Sequence, residues 1–114
     1  MKIGDLVKPN ENSYLTEKQK EQKYTVIGIG SDYMCTISTH GCVDRRIWLI
    51  HPTHIDRVDS VSKFNIGDIV MEVIHGHKSI VIGSNRLATV IRYAKANGDH
   101  CRIHSVSNRY LKKV

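Results

Sequence analysis

The sequence predicts an all-β chain built from two tandem small modules, and three observations carry that reading. First, Ile3-Gly4-Asp5-Leu6-Val7 returns 63 residues later as Ile66-Gly67-Asp68-Ile69-Val70. A repeat of this kind marks each copy as one structural unit. Second, short β-branched runs alternate with turn residues throughout, the pattern of strands joined by tight connections. Third, Asn97-Gly98 stands between the strand-like runs Leu87–Tyr93 and His100–Val106, and this dipeptide is a strong hairpin signal.

The repeat extends beyond its opening. Tyr24-Thr25-Val26-Ile27 matches Ala88-Thr89-Val90-Ile91, Cys35-Thr36-Ile37 matches Cys101-Arg102-Ile103, and Ile55-Asp56-Arg57-Val58 matches Leu111-Lys112-Lys113-Val114. The order of matches is kept while their offset drifts, as loops of unequal length on a shared set of strands would produce. The modules are residues 1–60 and 64–114, joined at Val61-Ser62-Lys63.

Each module opens with an apolar-Gly-Asp-apolar-Val turn, where glycine supplies φ > 0 and aspartate bonds nearby N–H groups. In the first, strand Leu6-Val7-Lys8 stops at Pro9, and a polar stretch from Asn10 to Lys23 follows. Thr16 and Gln19 form a capping-box start without an apolar stripe, which predicts a long loop 9–23 carrying one solvated helical turn. Strands at Tyr24–Gly30, Met34–Thr39 and Arg45–Ile50 come next, then a tight 3₁₀ turn at Pro52–Ile55 and a last strand Asp56–Val58. The second module has strands at Ile69–Ile74, Leu87–Tyr93, His100–Val106 and Tyr110–Val114; Ser79–Gly83 reads as an extra strand or a loop segment.

Four or five short strands in about 55 residues, closed by a turn and a final strand, describe a small barrel. With its apolar-Gly-Asp-x-Val opening and the ending Trp48-Leu49-Ile50-His51-Pro52-Thr53-His54-Ile55, the chain resembles the SH3-like barrels of the KOW and Tudor type. The second copy keeps the opening but has no Trp-x-x-His-Pro equivalent. The resemblance implies two tandem SH3-like barrels and binding of DNA, RNA, ribosomal or transcription proteins, or modified histone tails. The chain is also similar in kind to small basic phage early proteins that bind DNA.

Charge sharpens the expectation. Net charge is +6, yet residues 1–60 hold eight Lys/Arg against eight Asp/Glu, while residues 61–114 hold nine against three. The whole excess sits in the second module, which suggests a polyanion partner. No run approaches the roughly 18 apolar residues of a membrane span. Asp5 interrupts any apolar leader, and three scattered cysteines fit a reducing compartment. The expectation is a cytoplasmic or nucleoid-associated protein.

Site chemistry is sparse. His40-x-Cys42 with His51-x-x-His54, and His100-Cys101-x-x-His104, offer zinc ligand types without a standard finger spacing, so no metal is expected. Cys42 has Asp44 nearby, which opposes thiolate formation, and the Gly28-Ile29-Gly30 run opens no phosphate-binding helix. Neither an enzyme nor a cofactor is expected. Tyr24, Tyr33 and Trp48 are the candidates for an aromatic cage in the first module, Tyr93 and Tyr110 in the second; Tyr24 and Trp48 read better as core.

The candidate nucleic-acid contacts are Lys78, Arg86, Arg92, Lys95, Arg102, Arg109, Lys112 and Lys113, with Arg45 and Arg46 as the one comparable cluster in the first module. Guanidinium groups bond phosphate bidentately and lysine supplies point charge. No recognition helix is present to read a major groove, and exposed aromatics for stacking are few. Duplex DNA with little sequence specificity is therefore the first partner expected and RNA the second. The alternative is an interaction module for an acidic transcription or ribosome component, with the charge-neutral first module as its docking surface.

Overall fold

The computed structural model describes residues 1–39, 46–93 and 103–114, and among these the chain is almost wholly strand and turn. Strands β1 (Leu6–Pro9), β2 (Tyr24–Ile29), β3 (Cys35–Ser38), β4 (Ile47–Ile50) and β5 (Ile55–Asp59) form an antiparallel sheet in the order β4-β3-β2-β1-β5. Strands β6 (Ile69–Glu72), β7 (Lys78–Ser84), β8 (Ala88–Tyr93), β9 (Ile103–Ser107) and β10 (Leu111–Lys113) form a second, in the order β10-β6-β7-β8-β9. Each sheet thus places its fifth strand beside its first, followed by the second, third and fourth. The repeat is one of topology as well as of sequence.

The opening turns are superposable in their bonding. Gly4 and Gly67 sit at φ +96° and +93°, where only glycine is at ease. Their N–H groups donate to the Val26 and Val81 carbonyls, each at 2.8 Å. Asp5 Oδ2 accepts from Lys2 N–H at 2.9 Å, and Asp68 Oδ2 from Asn65 N–H at 3.0 Å. These bonds satisfy the turn's own donors and aim β1 and β6 at their partners.

They also correct the internal alignment. The strand that pairs with β1 is β2, and the strand that pairs with β6 is β7, so Tyr24–Ile27 corresponds to the run at Ser79–Ile82 and not to Ala88–Ile91. Both strands shift register at Val-Ile-Gly, between Val26 and Gly28 and between Val81 and Gly83. A bulge at this point increases local twist and bends the strand. Consequently β3, with Cys35, corresponds to β8 rather than to the run at Cys101–Ile103. Ser79–Gly83 lies inside β7, a central strand. The second unit also ends as the first does: a 3₁₀ turn at Asn108–Tyr110 leads into β10, as Pro52–His54 leads into β5.

Equivalent positions fill the two cores. Val7, Val26, Ile37, Ile50 and Ile55 are buried in the first unit, and Val70, Val81, Ile91, Val106 and Leu111 in the second. The first adds Tyr24 and Trp48, whose rings meet edge-on at 5.4 Å, and Leu15 from the long loop. That loop carries α1 (Glu17–Lys20), whose capping box closes reciprocally between Thr16 and Gln19 as expected. Tyr24 OH donates to the Gln19 carbonyl at 2.9 Å and pins the helical turn to the sheet. Burial raises the Tyr24 and Cys35 pKa values above the ordinary range.

The two units meet through backbone and small polar groups. A Cβ added at Gly4 would lie 2.5 Å from Ser84 N, and one at Gly83 would strike the Ile3 carbonyl oxygen. Asn85, 2% exposed, is the central link. Its amide donates to the Gly4 carbonyl at 2.9 Å and to Thr25 Oγ1 at 3.0 Å, while its Oδ1 accepts from Leu87 and Ala88 N–H, both at 2.9 Å. Ser105 Oγ reaches Ser38 Oγ at 3.3 Å on the same seam. Buried amides fully engaged in this way fix one relative orientation, because any slip strands several donors at once.

At the rim of the seam Arg86 Nε donates to Asp59 Oδ2 at 2.6 Å, and this bond holds the Asp59 carboxyl below the usual carboxylate range. A depressed carboxylate pKa gives stability that is present above the unfolded value, about 3.9, and is lost as pH falls through the folded value. Asp59→Asn should therefore flatten the dependence of thermal midpoint on pH below about pH 4. An unchanged acid limb would show that the pair contributes nothing. No helix among the described residues is long and apolar enough to cross a membrane.

Candidate nucleic-acid interface

Register decides which cations share a surface, because cross-strand partners point to one face of a sheet. On the outward side of the second sheet, Ile69 pairs with Ile80, Ile80 with Arg92, and Arg92 with Ile103. The adjoining row is Lys112–Met71–Lys78 across β10, β6 and β7. Two-residue alternation puts both rows on the same side, opposite the buried Val70, Glu72, Ser79, Val81 and Ile91. Lys78, Arg92 and Lys112 thus meet on one face, and among the described residues no Asp or Glu occupies an outward position on it. A further row, Val90–Ser105, is covered by the first unit through Ser38.

The remaining candidates divide by what already holds them. Arg86 is engaged by Asp59 at the seam, and Lys113 Nζ lies 3.6 Å from Asp68 Oδ2. Arg109 lies over the Tyr110 ring, 4.8 Å from its centroid. Arg46 is exposed just before β4, where its backbone exchanges bonds with Thr39. Arg45, Lys95 and Arg102 lie outside the described residues, as do Asn97-Gly98, His40, Cys42, Asp44, His100 and Cys101. Charge counting therefore overstates the free array: the described part of it is three cations on one face. Compared with family models and with curated proteins, the chain matches none.

The aromatic candidates do not converge. Tyr24 is fully buried, Trp48 packs on it, and Tyr33 stands 76% exposed at a left-handed φ of 65°. His51 and His54 sit on the 3₁₀ turn with rings 6.0 Å apart, and His51 Nδ1 accepts from Thr53 N–H.

One polar cluster joins two residues that the sequence singled out for other chemistry, Tyr93 and His104, to Glu72, which it did not. Tyr93 OH donates to Glu72 Oε1 at 2.6 Å, His104 Nε2 lies 3.4 Å from the same oxygen, and the Tyr93 and His104 rings are 4.7 Å apart. It occupies the inward end of the second core. Ser79 Oγ, on the neighbouring strand, is buried without a hydrogen-bond partner in the described structure. The corresponding β2 of the first unit contributes Tyr24 to an apolar packing, so the two cores end in different chemistry. Thirty-two residues separate Glu72 from His104, and only strand register brings them together.

Proposed function

We propose that this is a non-catalytic protein of two SH3-like units that holds nucleic acid by its phosphates on the outward face of the second. The observation that carries the reading is the gathering of Lys78, Arg92 and Lys112 on one face with no described carboxylate among them. A face of single sign raises the local concentration of a polyanion and orients it. The identical strand order of both sheets, with a 3₁₀ turn before each last strand, supports the KOW- or Tudor-like resemblance. Little sequence specificity is expected, because the one described α-helix is four residues long and cannot fill a major groove. On this reading the protein works in the cytoplasm or at the nucleoid, and duplex DNA is the first substrate to try, with RNA second.

The test is fluorescence anisotropy of the full chain with random duplex DNA at several salt concentrations. Three phosphate contacts predict a log–log slope of about −3. A slope near zero, or no binding of duplex DNA, RNA or single strands at about 50 mM salt, rules the phosphate reading out.

A second reading has its own observation. Ile47 and Leu49 stand 59% and 56% exposed on β4, an edge strand of the charge-balanced first unit. An edge strand with outward apolar side chains suits a protein partner that adds a strand. A pull-down that survives about 0.5 M salt and fails with Leu49→Lys would favour it.

A further inference from the structure

The outward face of the second sheet is more than an array of charge. Ile69, Ile80 and Ile103 are 40%, 38% and 44% exposed, and they form a single cross-strand row with Arg92 between Ile80 and Ile103. Arg92 makes no ion pair among the described residues. Lys112 and Lys78 lie in the adjoining row, with Met71 between them. We infer that this face takes single-stranded nucleic acid, its unstacked bases lying on the isoleucine row and on the Arg92 guanidinium while Lys78 and Lys112 hold phosphates. The inference rests on the nucleic-acid reading above and selects the substrate within it.

Duplex DNA presents charged phosphates and sugars at its surface and keeps its base faces stacked inside. Docking a duplex here would engage the cations but give the isoleucines little to bury against. A single strand offers both parts: phosphates for the lysines and flat apolar base faces for the row. Strands lie about 4.8 Å apart, so four of them span about 14 Å, room for two or three unstacked bases. A guanidinium plane stacks on bases as an aromatic ring does. Few aromatics in the sequence argue for duplex; the exposed isoleucines supply an apolar platform of another kind.

The experiment compares an oligothymidylate of about 20 nucleotides, a duplex of equal length and a poly-glutamate peptide, each labelled, against the full chain at low salt. The single strand should bind at least about tenfold more tightly than the duplex. The double variant Ile80→Thr/Ile103→Thr keeps β-branched residues in both strands and should retain its thermal midpoint. It should lose about tenfold for the single strand and nothing for the duplex. Equal affinities, or a variant that binds the single strand normally, overturn the base platform while leaving phosphate binding in place. Binding to neither nucleic acid removes both readings. Poly-glutamate binding as tightly as the oligonucleotide overturns the inference in favour of an acidic protein segment.

Discussion

Gly4→Ala is expected to destabilise the protein far more than Gly67→Ala, although the two glycines occupy the same position of the repeat. Both sit near φ +95°, so each alanine carries a similar backbone strain, about 1–2 kcal/mol. Around Gly67 the added methyl group meets nothing within 4 Å. At Gly4 it falls 2.5 to 2.7 Å from Ser84 N and from the Gly83 C and Cα, all backbone atoms that cannot rotate away. Relief requires the two units to separate, which also breaks the Asn85 bonds to Gly4 and Thr25. Overpacking of this kind adds roughly 1–3 kcal/mol and the stranded amide about 1–3 more. The Gly4 variant should thus lose about 3 kcal/mol or more beyond the Gly67 variant, a fall in thermal midpoint on the order of 10 °C. Thermal unfolding by circular dichroism of the two variants side by side measures it. Equal losses would show that the units do not support one another through this seam.

That comparison also marks how far the sequence was legible. The turn chemistry of Ile-Gly-Asp-x-Val was readable because φ > 0 and a side-chain bond to the backbone are local demands. The capping box at Thr16 and the 3₁₀ turn at Pro52 were readable for the same reason. The alignment of inner strands was not. Thr25-Val26-Ile27 resembles Thr89-Val90-Ile91 because β-branched composition suits any strand, while the true equivalence rests on the bulge at Val-Ile-Gly, in Val26–Gly28 and Val81–Gly83. Gly4 and Gly83 touching across the seam joins positions 79 residues apart, and no local pattern announces it.

The candidate site was legible as a charge and not as a surface. Nine cations against three carboxylates located the second unit. Whether a given cation is free depends on partners distant in sequence: Asp59 for Arg86, Asp68 for Lys113. Hydrophobicity alone does not separate Ile69, Ile80 and Ile103 from the buried Val70, Val81 and Val106 beside them. Only the register, which assigns these valines to the inside, turns the isoleucines outward.

The free and the engaged cations make a matched pair of experiments. Lys78→Gln/Arg92→Gln/Lys112→Gln and Arg86→Gln/Arg109→Gln/Lys113→Gln each lower the net charge by the same amount. If nucleic acid responds only to the overall field, both triple variants should weaken binding equally. If phosphates are held on the outward face, the first should lose much more. On duplex DNA each contact contributes about 0.9 log units at 0.1 M salt through counterion release, so removing three costs about five-hundredfold. The log–log salt slope should fall toward zero in that variant. The second triple should lose only a few-fold and keep its slope, since Asp59, Asp68 and the Tyr110 ring already occupy its members. The reverse ranking would move the interface to the seam and to the 3₁₀ turn at Asn108–Tyr110, where Arg86 and Arg109 stand.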